Sequence, residues 1–226
     1  MQAETVYMVL ALVIAVVLHE LAHGVVARMF GDQTAQAAGR LTLNPVKHVD
    51  PMGSIAVPAI LAISQLATIG HVAFMYGWAR PVPVNPMRLQ VKGRYYPRQL
   101  MAVVAFAGPL MNFFLAVCGG VLLYAGYAQD FLWYFIMVNL SLGIFNLLPV
   151  PPMDGGRIAV GLLPLRAAHF LARGEKIGIV AVLLLLFVLP TALGQFGVHW
   201  DPLGAAMSSI LPWAEQKTML LTGHGA

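Results

Sequence analysis

Long apolar runs dominate this chain of 226 residues. They fall at about 5–30, 52–77, 99–127, 131–149 and 177–198, with a weaker run near 202–214. Hydrophobic residues make up 59% of the chain and charged residues 10%, whereas roughly a quarter of a soluble domain is charged. This composition excludes an ordinary soluble domain, a disordered chain and a nucleic-acid-binding protein. Because a membrane-spanning helix needs about 20 apolar residues, we expect an all-α polytopic membrane protein with about four to six transmembrane or re-entrant helices.

The basic residues predict how this protein is oriented. Twelve of the thirteen lysines and arginines fall in three groups, which are Arg28, Arg40 and Lys47; Arg80, Arg88, Lys92, Arg94 and Arg98; and Arg157, Arg166, Arg173 and Lys176. Since cytoplasmic loops collect lysine and arginine, all three groups are expected in the cytoplasm. The run at 52–77 joins two of these groups and therefore cannot be a simple single crossing. Either it is re-entrant, which we favour, or the chain that follows it threads back.

Two connecting segments are predicted to be non-helical. Residues 40–45 alternate in polarity before an Asn-Pro pair, which predicts a short membrane-associated strand or β-hairpin. Three prolines, at 81, 83 and 86, predict an extended or looped segment over residues 78–97. We expect one integral-membrane domain over residues 1–226, with a catalytic core at about 5–160 and C-terminal helices at 161–214.

The strongest chemical signal is the pentapeptide HELAH inside the first apolar run. Residues four apart share a helix face, so His19 and His23 can bind one metal ion. Glu20 lies beside them, where it can accept a proton from an attacking water molecule. Zinc suits this arrangement because it lowers the pKa of water to about 7. The alternative is a chance match in a buried helix, but ionisable residues in an apolar span are costly and usually functional.

A third protein ligand is expected because a catalytic zinc site uses three, leaving the fourth position open. Asp154 is preferred, since the Pro-rich stretch before it and the Gly-Gly pair after it leave the backbone unwound enough for the carboxylate to turn inward. The alternative role for Asp154 is to cap a following helix. Asp50 is the reserve candidate for the third ligand.

These motifs together resemble the site-2 protease family of intramembrane zinc metalloproteases. The resemblance is carried by HELAHG at 19–24, GPLMN at 108–112 and NLLPVPPMDGG at 146–156, and it covers about residues 15–160. Residues 39–53 and 78–86 also look like a compact prokaryotic branch without a PDZ or CBS domain. The resemblance implies a three-helix core at 5–30, 99–127 and 131–149.

The resemblance implies one Zn²⁺ per chain, held by His19, His23 and Asp154, with Glu20 as the general base. The implied activity is hydrolysis of peptide bonds within or near the transmembrane segments of substrate proteins, at a site toward the cytoplasmic face. The expected partners are the lipid bilayer and a membrane-protein substrate, without nucleic acid, and the oligomeric state stays undetermined. The cell (inner) membrane is the expected location of this multi-pass protein.

Two amides are candidates for binding the substrate. Asn112 and Asn146 could hydrogen-bond a substrate backbone, or they could simply join two helices. Asn139 is expected to be structural. An extended substrate could also pair by strand addition with residues 41–43 or 81–84. The alternative function is a non-catalytic zinc-binding membrane protein, such as a pseudo-protease or chaperone.

Overall fold

The computed structural model describes residues 2–70, 77–91, 93–173, 189–195, 197 and 200–224. Its helices, in chain order, are α1 (Gln2–Met29), α2 (Thr34–Ala37), α3 (Val57–Ile69), α4 (Pro97–Tyr124), α5 (Gln129–Asn146), α6 (Asp154–Leu162), α7 (Leu165–Arg173), α8 (Leu189–Gln195) and α9 (Pro202–Leu221). Short 3₁₀ turns cover Pro45–His48 and Pro86–Arg88, and a π-helical turn covers Pro51–Ala56. A small antiparallel ladder joins β1 (Gln90–Val91) to β2 (Arg94–Tyr95).

Three helices form the centre of the fold. The apolar runs at 5–30, 99–127 and 131–149 become α1, α4 and α5, and each of these helices packs on the other two. Near the beginning of α1, Tyr7 makes an edge contact with Phe131 of α5, with ring centroids 6.2 Å apart. At the other end of α1, Ala27 packs with Leu100 and Val104 of α4. The N-terminal part of α4 therefore lies beside the C-terminal part of α1.

The expectation of four to six transmembrane or re-entrant helices is met in part. In the described part of the chain, α1 and α4 are long and apolar enough to cross a membrane, with mean hydropathies of 2.2 and 2.1. The helix α9 covers the α4–α5 pair, where Ala214 joins the buried cluster of Ala116 and Ile136. Most of the run at 177–198 lies outside the described residues.

The residues at the beginning of the run at 52–77 contact the residue that follows it. The backbone N–H of Trp78 donates to the carbonyl of Gly53 at 3.2 Å, and the Ser54 hydroxyl donates to the Trp78 carbonyl at 2.9 Å. A side chain at Gly53 would overlap the Trp78 indole. The two flanks of this run are thus held side by side, which is the geometry that a re-entrant segment requires.

The hairpin predicted at residues 40–45 is not confirmed. Residues 40–44 form no strand, and Asn44 instead caps the following 3₁₀ turn by accepting a hydrogen bond from the Val46 N–H at 3.0 Å. The alternation of side chains was real, but an Asn before a proline satisfies the local backbone better as a cap than as part of a strand. The short β1–β2 ladder lies about 50 residues further along the chain.

Candidate metal centre

The helix α1 presents both histidines of the pentapeptide toward α4 and α6. His19 and His23 are 6% and 8% exposed, and their Nε2 atoms lie 3.1 Å apart. The 3.6-residue period of the helix puts these two rings one turn apart on one face. At 1.5 Å per residue, they lie about 9–15 Å before the end of α1 at Met29.

Asp154 completes this cluster from the other side. Its Oδ2 atom lies 3.1 Å from His19 Nε2 and 3.3 Å from His23 Nε2, and the residue is 6% exposed. Asp154 is the first residue of α6, but that helix has no side-chain cap. The side chain therefore turns toward the imidazoles rather than toward its own helix.

The glycines after Asp154 permit this approach. Side chains at Gly155 and Gly156 would overlap the backbones of Leu147 and Pro151, so the chain folds tightly back on itself before α6. The Pro151–Pro152 peptide bond in this turn is cis. The turn brings the end of α5 and the beginning of α6 together beside the two histidines.

The three donor atoms fit a zinc ion. In a tetrahedral site with bonds of about 2.0–2.1 Å, ligand atoms are separated by about 3.3 Å, and the observed separations are 3.1–3.3 Å. Asp154 Oδ2 is buried without a hydrogen-bond partner, as expected for an atom that would coordinate a cation.

A relay of amides fixes the orientation of His19. The Phe135 carbonyl can only accept, so it takes a hydrogen bond from Asn139 Nδ2 at 2.8 Å. This leaves Asn139 Oδ1 to accept from Asn112 Nδ2 at 3.0 Å. Asn112 Oδ1 then faces His19 Nδ1 at 2.6 Å, so that ring nitrogen is the donor. His19 Nε2 is consequently left with a lone pair toward the centre.

His23 is oriented by backbone instead. Its Nδ1 atom donates to the Val104 carbonyl at 2.7 Å. Both ring orientations are therefore determined by α4, through an amide side chain for His19 and through a main-chain carbonyl for His23.

The glycine of the GPLMN segment sets the distance between α4 and the imidazoles. A side chain at Gly108 would overlap both His19 and His23. The absence of a Cβ atom lets the α4 backbone lie directly against the two rings. Gly108 is thus required by close approach rather than by an unusual backbone angle.

Glu20 lies on α1 beside the cluster and is held from a different region. Its Oε2 atom accepts a hydrogen bond from the Val82 backbone N–H at 2.8 Å. Glu20 is half-buried, whereas Val82 is 6% exposed. The segment predicted to be extended from its prolines therefore crosses α1 at the position of this carboxylate.

In the described part of the chain, the two other candidates make their hydrogen bonds outside the cluster. Asn146 donates to the Leu142 carbonyl of its own helix at 3.0 Å. Asp50 accepts from the Gly53 N–H at 2.7 Å and caps the turn that begins at Pro51. In the part of the chain that the structure describes, the group of side chains able to share a metal ion is His19, His23 and Asp154.

Sequence reasoning missed three contributions. Asn139 was expected to be structural, yet it orients Asn112. The Val104 carbonyl and the Val82 N–H are main-chain groups. The residue type does not indicate which main-chain groups take part in a site. For Val82 one signal was available, because it lies between two prolines and is the only backbone donor of that tripeptide.

The sequence is similar to a protein family and to proteins from bacteria. The model of peptidase family M50 matches residues 120–189. The Bacillus subtilis (strain 168) protein named "Putative zinc metalloprotease YwhC" is 39% identical over 220 residues, covering 91% of this chain and 89% of that protein. The protein named "Putative zinc metalloprotease Rip2" of Mycobacterium tuberculosis (strain ATCC 25618 / H37Rv) is 26% identical over 196 residues, covering 83% of this chain and 69% of its own length. No solved structure matches the chain.

The chain belongs to peptidase family M50, the site-2 protease family that its motifs resemble. Members of this family are membrane-associated and act on membrane proteins. The names of the relatives describe zinc metalloproteases, which supports a metallopeptidase and implies zinc. The resemblance stated from the sequence is therefore confirmed at the level of the family.

Proposed function

We propose that this protein is a zinc metalloprotease that hydrolyses peptide bonds within or next to the transmembrane segments of other proteins. The observation that carries the proposal is the convergence of His19, His23 and Asp154, at tetrahedral spacing, on the face of a helix apolar enough to cross a membrane. Three ionisable ligands so buried in an apolar bundle are costly unless they bind a cation.

In this proposal His19, His23 and Asp154 hold one zinc ion. Zinc supplies a Lewis acid there, which polarises a carbonyl group and lowers the pKa of water to about 7. Glu20 accepts a proton from the attacking water and later returns it to the leaving amine. Asn112 acts behind His19 rather than on the substrate, since its Oδ1 atom faces the ring at 2.6 Å.

The charge distribution supports a site toward the cytoplasmic face. Arg28 lies in the last turn of α1 and Arg98 in the first turn of α4, at the end of the bundle nearer to the histidines. Glu4 and Asp130 lie in the first turns of α1 and α5, at the opposite end. Since lysine and arginine collect on the cytoplasmic side, we place the histidine end of α1 in the cytoplasmic half of the inner membrane.

The test combines zinc content with cleavage. Wild-type protein, His23→Ala, Asp154→Ala and Glu20→Gln are purified, and zinc is measured by mass spectrometry. Each is then co-reconstituted in liposomes with a tagged single-span membrane protein whose span contains a Gly-Pro pair. We expect about one zinc in wild type and Glu20→Gln, and a large loss of zinc in the two ligand variants. Wild type should cut inside the span, and Glu20→Gln should be slower by about 10²- to 10⁴-fold.

Three results would contradict the proposal. Glu20→Gln could cleave as fast as wild type, or all cuts could fall far from the span. Wild-type protein could also bind zinc and cleave nothing, and the non-catalytic zinc-binding alternative would then take its place.

A further inference from the structure

We propose that residues 78–82, here called the crossing segment, position Glu20 for proton transfer and are held in place by the buried charges of Arg40 and Asp32. This inference rests on the proposed proteolytic function. It assigns the crossing segment to the enzyme's own base rather than to the pairing of an extended substrate.

The backbone donors along one edge of the crossing segment are already engaged. Trp78 N–H donates to the Gly53 carbonyl at 3.2 Å and Arg80 N–H to the His48 carbonyl at 2.8 Å. Val82 N–H donates to Glu20 at 2.8 Å. In an extended chain, alternate residues direct their N–H groups to the same edge, so one edge of the segment is consumed by internal partners.

The opposite edge offers few donors. Pro81 and Pro83 fall there, and proline has no N–H. A substrate strand that added to this edge would lose ladder hydrogen bonds at both positions. Pairing of an extended substrate with residues 81–84 is therefore disfavoured. The Val82 N–H, which lies between two prolines, instead donates to the Glu20 carboxylate.

Arg40 holds the crossing segment through its carbonyls. Its guanidinium donates to the Arg80 carbonyl at 2.8 Å and to the Pro81 carbonyl at 3.4 Å, and also to the Lys47 carbonyl. Arg40 is 8% exposed. Its planar guanidinium, with five donors in a fixed geometry, can engage several carbonyls at once, which an ammonium group does less well.

Asp32 anchors the chain just beyond Val82. Its Oδ2 atom accepts from the Asn85 N–H at 2.6 Å, and its Oδ1 atom accepts from the Thr34 N–H at 3.0 Å. Asp32 is fully buried at the end of α1. Val82 is thus held between an arginine that binds the two preceding carbonyls and an aspartate that binds a following N–H.

Gly24 lets the crossing segment reach Glu20. It lies one turn after Glu20 on the same face of α1, and a side chain there would overlap Leu41 and crowd Val82. The Val82 backbone can therefore approach the helix closely enough for its N–H to reach the carboxylate. The hydrogen bond occupies Oε2 of Glu20, and the other oxygen is left to receive a proton.

Val82→Pro removes this N–H, and Val84→Pro is its matched control, because it introduces the same ring at a residue whose N–H has no partner within the described residues. Both variants are compared with wild type for zinc content, kcat and KM in the liposome assay. Loss of a hydrogen bond to a charged group should lower the kcat of Val82→Pro at least about tenfold, with KM and zinc content unchanged. Val84→Pro should match wild type. An unchanged kcat for Val82→Pro, or a raised KM alone, overturns the proposal.

A second measurement works without activity. The exchange of the Val82 amide is followed by nuclear magnetic resonance in ¹⁵N-valine-labelled protein, with the resonance assigned from Val82→Ile. We expect this amide to exchange at least about tenfold faster in Glu20→Ala and in Arg40→Met than in wild type. Equal exchange in all three proteins overturns the inference. If wild-type protein binds zinc but does not cleave, the proposed function fails, and amide exchange still decides whether Val82 holds Glu20.

Discussion

The two halves of the candidate site are built in different ways. The helices α1, α4, α5 and α6 hold the metal ligands, and most of their contributions are side chains, such as the relay from Asn139 through Asn112 to His19. The irregular chain between α1 and α4 holds Glu20, and its direct contribution is the main-chain N–H of Val82. Helices satisfy their own backbone groups and therefore recognise through side chains, whereas an extended chain has backbone donors to offer.

This difference separates affinity for zinc from the rate of catalysis. Changes in the helical half should weaken zinc binding, and activity should fall with it. Changes in the irregular half should lower kcat while zinc remains bound.

The largest effect is expected from Gly108→Ala. The new methyl group would overlap both imidazoles and push them out of the cluster. Overpacking at a close-packed contact costs about 1–3 kcal/mol, so zinc affinity should fall by roughly 5- to 150-fold. Competition with a chromophoric chelator measures it. Gly194→Ala is the control, because a Cβ atom there meets no atom of the described residues within 4 Å, and equal zinc affinity in the two variants would contradict the prediction.

Asn112→Ala should weaken zinc binding by about 10- to 100-fold, since loss of the hydrogen-bond partner of a metal-binding histidine has effects of that size. The physical reason is that His19 loses the acceptor that keeps its proton on Nδ1. Asn146→Ala makes a matched comparison, because among the described residues that amide donates to a carbonyl of its own helix turn, and its zinc affinity should stay near that of wild type. A larger loss of zinc from Asn146→Ala than from Asn112→Ala would show that the relay is misassigned.

The smallest effect is expected from Arg40→Met, which leaves the Arg80 and Pro81 carbonyls without their donor. The crossing segment should loosen, and kcat should fall about three- to tenfold while zinc content is unchanged. Arg88→Met is the control, because Arg88 is exposed. Loss of zinc from Arg40→Met would break the proposed separation between the two halves.

The helices and the side chains of the helical half could be predicted from the sequence, because both depend on residue types and their spacing. Three long apolar runs become α1, α4 and α5, and the pentapeptide period brings His19 and His23 together. The choice of Asp154 over Asp50 rested on the flexible stretch around it, and the structure places its carboxylate beside both rings.

The irregular half was predicted less well for a physical reason. Alternating polarity at residues 40–45 suggested a hairpin, but a strand needs a partner, and the local cap by Asn44 competes successfully for the backbone. Neither the role of Arg40 nor that of Asp32 could be read from the sequence, because their partners are main-chain groups about 40 and 53 residues away. The sequence also could not show that Asn139 rather than Asn146 hydrogen-bonds Asn112, because both lie on α5 and the face that meets α4 decides which one does.

The hydrogen bond between Gly53 and Trp78 has a consequence for protein engineering. Because the two ends of this segment are hydrogen-bonded to each other, the length of the chain between Gly53 and Trp78 has little effect on the positions of the residues outside it. A longer apolar helix could replace α3 while residues 53, 54 and 78 keep their hydrogen bonds. The length of this run can thus be varied without moving the residues that flank it.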